Sequence, residues 1–128
     1  MDCTERHGQV YIVEQDLVNL KCQPCREGTP PFTDDEISGY LPFISSEWRV
    51  VDGKRLSRQF GRRNFLRAML FVNALAYLAE QQNHHPDMTI NYNIVIVELS
   101  THSVGGLSRN DFIMAAKIDQ LAYQASQG

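Results

Sequence analysis

No run of apolar residues in this chain approaches the roughly 18–20 that cross a bilayer, so a membrane-spanning role is not expected. Nor is there an excess of one charge. Twelve basic residues meet fifteen acidic ones, a formal net charge of −3, and this leaves no electrostatic footprint for nucleic acid. Cysteine occurs only three times, an odd number that suits a reducing compartment better than a disulfide framework. The opening Met1-Asp2-Cys3-Thr4-Glu5 has neither the basic start nor the apolar stretch of a signal peptide, and a cytoplasmic location is the expectation. Internal repeats and low-complexity tracts are missing as well. What remains is ordinary: 128 residues, 43% apolar and 21% charged, enough for one domain with one core.

Residues 1–32 read as a loosely ordered lead-in, with the breakers Gly28, Pro30 and Pro31 and a short apolar turn at Val10-Tyr11-Ile12-Val13. Cys3, His7, Cys22 and Cys25 have possible zinc spacings, but such short matches arise easily by chance. Buried or merely tolerated thiols are the plainer reading. Residues 33–128 carry the regular patterning. Thr33-Asp34-Asp35-Glu36 has the form of a capping box opening a short helix, which Pro42 stops or kinks. Asp52-Gly53 is a two-residue turn between hairpin strands. Residues 64–82 hold apolar side chains at helical spacing, residues 88–100 read as two strands broken near Asn91-Tyr92-Asn93, and Ser108-Arg109-Asn110-Asp111 opens a last helix. The order α-β-β-α-β-β-α predicts an α+β fold of two layers, a four-stranded antiparallel sheet with helices packed on one face. In the last strand Val95, Val97 and Leu99 point one way, and Ile94 and Ile96 the other. Apolar residues on both faces call for a cover, and a second copy of the chain is the simplest one. The lead-in folding over that face is the alternative.

Three of the four histidines fall within nineteen residues. His84 and His85 follow the long helix, where Pro86 forces the chain out of helical geometry, and His102 follows the last strand. If the two ends meet at one rim of the sheet, three imidazoles converge, and imidazoles exchange protons near neutral pH. The plainer reading is that helix-terminal histidines stabilise the macrodipole. Zinc on His84, His85 and His102 is a sharper rival, though adjacent histidines point apart on most backbones. Glu80, four residues before His84, can orient it or be a solvated surface acid. Asp111 has a cap reading and a catalytic one, of which local sequence favours the cap.

Glu80, His84-His85-Pro86, Tyr92, His102 and Asp111, with the turn Thr101-His102-Ser103-Val104-Gly105-Gly106-Leu107, resemble the pterin-4a-carbinolamine dehydratase family. Trp48, Asp52-Gly53-Lys54, Phe65 and Ile118-Asp119 extend the resemblance to roughly residues 22–123. Two positions depart from the pattern: Met88 stands where some members have tryptophan, and Asn83 where animal members carry aspartate. The resemblance implies a four-stranded antiparallel sheet with helices on one side, a dimer or tetramer, and a pterin substrate. It implies dehydration by histidine acid–base chemistry with neither cofactor nor metal, in tetrahydropterin recycling. His84 would be the principal acid or base and His102 its complement. His85 would bind or polarise the substrate, Glu80 would orient His84, and Asp111 would fix His102 while capping the helix. Asn83, Pro86, Ser100, Thr101 and Ser103 would lie near the ring. Relatives also include coactivators that stabilise a homeodomain protein dimer, assembly chaperones, and dehydratase-like proteins of molybdenum-cofactor metabolism. Those remain the rival roles.

Overall fold

Two β-hairpins, set side by side and joined through their second strands, make the sheet. The computed structural model describes residue 3 and residues 14–127. Helices α1 (Glu14–Asn19) and α2 (Asp34–Tyr40) come first, then strands β1 (Arg49–Val51) and β2 (Arg55–Gly61) and the long helix α3 (Phe65–Gln82). Strands β3 (Asp87–Asn91) and β4 (Ile94–Leu99) and helix α4 (Arg109–Gln127) complete the chain. The sheet is antiparallel in the order β1-β2-β4-β3, and the helices cover one of its faces, as the patterning predicts.

Local chemistry accounts for the element ends. Thr33 accepts from the Glu36 N–H while the Glu36 carboxylate accepts from the Thr33 N–H, a reciprocal capping box. Asp52 and Gly53 both have positive φ, 55° and 68°, as a tight hairpin turn favours, but Val51 pairs with Arg55, so the loop holds three residues, one more than expected. The core lies between the sheet and the two long helices. Leu56, Phe60, Val95, Val97 and Leu99 meet Ala68, Phe71 and Leu75 of α3 and Phe112, Met114 and Ile118 of α4, all buried. Asp119 ties this layer to the first hairpin. Its carboxylate accepts from the Ser45 N–H at 2.8 Å, from the Trp48 indole at 2.7 Å and from Arg58.

Two further expectations need correction. The lead-in, read as loosely ordered, contains α1, and its Leu17 is fully buried against the core. Lys117 of α4 fastens this helix by donating to the Val18 carbonyl at 2.6 Å. The apolar signal was too short to stand out, because one buried leucine in a six-residue helix makes no periodic pattern. The expected turn at Val10-Tyr11-Ile12-Val13 lies outside the described residues. The cysteines also differ from expectation: Cys3 and Cys25 are joined in a disulfide, and Cys22 is the thiol left over. Pairing between residues 22 apart depends on the folded path of the chain, and an odd count does not forbid it.

Candidate active site

Helix α3 ends in a way that aims its successors. Asn83 sits in the left-handed region, φ 51° and ψ 42°, a conformation that asparagine tolerates better than most residues. The Asn83 N–H reaches the Glu80 carbonyl and the His84 N–H reaches back to Ala79 at 3.2 Å, the paired bonds of a Schellman stop. Pro86 then bars any return to helix. The chain leaves the axis at His84, and the imidazole meets the first turn of α4.

There Asp111 takes two tasks at once. Its Oδ2 accepts from the Ser108 N–H at 2.9 Å, closing the first turn of α4, and from the Thr101 hydroxyl at 2.8 Å. Its Oδ1 lies 2.7 Å from His84 Nε2. Asp111 is fully buried and the His84 side chain only 11% exposed, so little water screens the pair. The other partners of Asp111 are donors, and an ionised carboxylate only accepts. The contact therefore reads as His84 Nε2–H donating to Asp111, which leaves Nδ1 as the other ring nitrogen. Ser108 Oγ, 2.8 Å from Thr101 Oγ1, completes the set behind the carboxylate.

The orienting partners are thus exchanged relative to expectation. Glu80 does not hold His84; its Oε2 bonds His85 Nε2. The long helix ends before His84, and the left-handed turn swings that ring toward α4. Asp111 holds His84 and not His102, since it lies inside the helix turn that faces the α3 stop. The two pairs differ in kind. Glu80 and His85 are 76% and 53% exposed, a surface pair of small energetic weight.

His102 starts the short 3-10 turn His102–Val104 after β4. The turn is closed by Thr101 N–H to Gly106 O at 2.7 Å, with Gly105 at φ 73°. His84, His85 and His102 all line one open cleft of about 370 Å³, together with Asn83, Ser100, Thr101 and Ser103. The convergence expected from the spacing is therefore present. Pro86 is not among the lining residues; it shapes the exit of the chain. One part of the lining escaped sequence reasoning: Cys22, Gln23, Pro24, Cys25, Gln82 and Asn110 line the same cleft. The Cys-x-x-Cys pair was a visible signal, but nothing local tied it to the histidines. Burial and the nearby Asp111 charge push the Cys22 thiol up to about 12. Among the described residues no group of three or more His, Cys, Asp or Glu side chains is arranged to hold a metal ion. Cys3 and Cys25 are spent on each other, and His7 lies outside the described residues.

The site thus sets a buried imidazole–carboxylate pair and two further imidazoles around one cleft of a two-layer α+β domain. The family model for pterin 4 alpha carbinolamine dehydratase matches residues 30–121. The chain belongs to that family. A protein of Nitrosomonas eutropha, provisionally named a pterin-4-alpha-carbinolamine dehydratase, is 46% identical over 83% of this chain and 93% of its own. One of Alkaliphilus metalliredigens with the same provisional name is 42% identical over 81% and 94%. Among solved structures, a transcriptional coactivator/pterin dehydratase from Brucella melitensis is 34% identical with a TM-score of 0.67, over 72% of this chain and 98% of that one. A pterin dehydratase-like protein identified as a RuBisCO assembly factor in the alpha-carboxysome is 26% identical with a TM-score of 0.51, over 59% and 89%.

Proposed function

We propose that this protein dehydrates a 4a-hydroxytetrahydropterin to the quinonoid dihydropterin, in the cytoplasmic recycling of tetrahydropterins. The observation that carries the reading is the His84–Asp111 pair, buried behind a cleft whose rim bears His85 and His102. Dehydration asks for two proton movements. The N5 lone pair forms a double bond to C4a as the C4a–O bond breaks. The departing hydroxyl takes one proton and leaves as water, and the N5 proton passes to a base. With Nε2–H committed to Asp111, His84 Nδ1 is the basic nitrogen, and Asp111 stabilises the imidazolium that forms. His102 protonates the leaving oxygen. His85, held by Glu80, polarises the substrate, and Asn83, Ser100 and Ser103 offer polar groups to the ring edge, while Thr101 backs Asp111. Imidazoles and a carboxylate suffice for this chemistry.

The test is stopped-flow decay of the carbinolamine with wild type, His84→Ala and His102→Ala. Each variant should lose at least roughly ten-fold in turnover, the low end of what a positioned acid–base group contributes, with unchanged circular dichroism. A chelator should leave the wild-type rate alone. Wild-type turnover in both variants would refute the histidine mechanism. No acceleration by the wild-type protein would refute the activity and favour a binding role, as in the RuBisCO assembly factor it resembles.

A further inference from the structure

The wall formed by residues 22–25 has no part in the proton transfers, yet it is fastened more firmly than an idle loop needs. Two of its three anchors are each one residue away from a member of the site. Gln82, just before Asn83, accepts from the Cys22 N–H at 3.0 Å. Asn110, just before Asp111, grips Gln23 on both sides. Its Oδ1 accepts from the Gln23 N–H at 2.9 Å and its Nδ2 donates to the Gln23 carbonyl at 2.6 Å. Asn110 is almost fully buried, so water does not compete easily for these bonds. The third anchor is covalent. Cys25 is bonded to Cys3, whose carbonyl accepts from the Arg109 N–H at 2.8 Å at the start of α4. Pro24, between the anchors, has its φ locked by its ring.

We infer that residues 22–25 are a substrate-binding wall, that Asn110 is the positioning residue setting its distance from the histidine rim, and that the Cys3–Cys25 disulfide fastens it. The inference rests on the pterin reading above and deepens it. Residues 22–25 line the same cleft as the three histidines and bring no acid or base to the proton transfers, so they act on how tightly the ring is held and leave the protons to the imidazoles. Its grip therefore follows the thiol poise of the surroundings. A dithiol reductant gives two electrons and two protons to the Cys3–Cys25 bond, which breaks to two thiols while the reductant closes to its own disulfide. The Cys22 thiol is engaged elsewhere, 3.7 Å from the Asn110 carbonyl, and burial favours its protonated form.

The probe is a 7,8-dihydropterin, which lacks the 4a-hydroxyl and does not react. Its fluorescence titration gives Kd for wild type before and after dithiothreitol, for Asn110→Asp and for Cys3→Ser, and the carbinolamine assay gives kcat and KM. Asn110→Asp keeps the acceptor for the Gln23 N–H but sets an oxygen against the Gln23 carbonyl. Kd and KM should rise roughly three- to ten-fold in the variants and the reduced protein, the range of one or two lost hydrogen bonds. The fall in kcat should stay under about two-fold, because no proton-transfer group has moved, and the pH–rate profile should keep its shape. An unchanged Kd overturns the inference. So does a fall in kcat at constant KM, which would mean that Asn110 acts through Asp111. Cys3→Ser unfastens the wall without touching Asn110 and so decides the matter if Asn110→Asp fails to fold. A wild type that binds the dihydropterin but does not dehydrate the carbinolamine refutes the proposed reaction, and the wall is then judged by Kd. A wild type that binds no pterin refutes the wall.

Discussion

Asp111 and Glu80 both hold a histidine, and the difference in burial makes them unequal. Asp111→Asn should lower turnover and also destabilise the fold, by about 1–3 kcal/mol, because the amide cannot accept from Ser108, Thr101 and His84 without presenting a donor to one of them. Glu80→Gln should change stability by less than about 1 kcal/mol, the ceiling for an exposed pair, and act only on the rate. Urea melts of the two variants beside the carbinolamine assay separate the roles; equal stability losses would contradict the burial argument. Cys22 gives a second test at this scale. Its thiol is raised from an ordinary value near 9 to about 12, first by burial and then by Asp111. A raised acid favours the folded state while it stays neutral. The contribution is therefore whole below pH 9 and is lost as pH climbs from 9 to 12. The stability difference between wild type and Cys22→Ala should drift against the wild type across that window. A difference that stays flat in alkaline denaturation would show the thiol to be freely solvated.

At the scale of elements, the loop after β4 is the joint on which the site depends. Gly106 lies against Pro31, and an added Cβ would come within 2.9 Å of the proline Cβ. Neither atom can swing aside as a flexible side-chain end can. Gly106→Ala should cost roughly 1–3 kcal/mol in a urea melt, as overpacking typically does. It should also lower turnover, since Gly106 pairs with Thr101, which donates to Asp111. Full stability in that variant would mean the lead-in gives way freely. The elements from α2 onward were legible in the sequence, whereas α1 was not. The capping box at Thr33, the Asp52-Gly53 turn and the periodicity of α3 and α4 are local signals, and each of these elements forms where local chemistry puts it. The pairing of Glu80 with His85 was not legible, because it hangs on one left-handed residue, Asn83, that redirects the chain. The wall at residues 22–25 was hidden for a different reason. Its bonds to Asn110 span 87 residues, and no spacing rule reaches that far.

For the molecule as a whole, the open face of the sheet is the unfinished surface. Ile94 and Ile96 stay half-buried there, opposite Gly61 and Gln59 on β2 and Asn91 and Thr89 on β3. Phe65, Leu66, Leu70 and Tyr77 of α3 and Tyr92 of the second hairpin turn are also large and exposed. Leaving such residues in water forfeits roughly 1.5–3 kcal/mol each relative to burial, and patches of them mark association sites. The protein should be at least a dimer at tens of micromolar. Light scattering across a dilution series checks this, and a strictly 14.6 kDa species would refute it.

The double duty of Asp111 has a consequence for descent. A lineage that gives up catalysis for a binding role can shed His85, His102 and Glu80 freely, because their exposed side chains support little else. It cannot shed the acid that closes the first turn of α4 and accepts from the Thr101 hydroxyl without also repairing a helix start and a buried hydroxyl. Non-catalytic descendants of such a chain should therefore keep this aspartate and the nearly buried His84 it holds after the exposed histidines have gone. The retained pair would be the last trace of the lost activity.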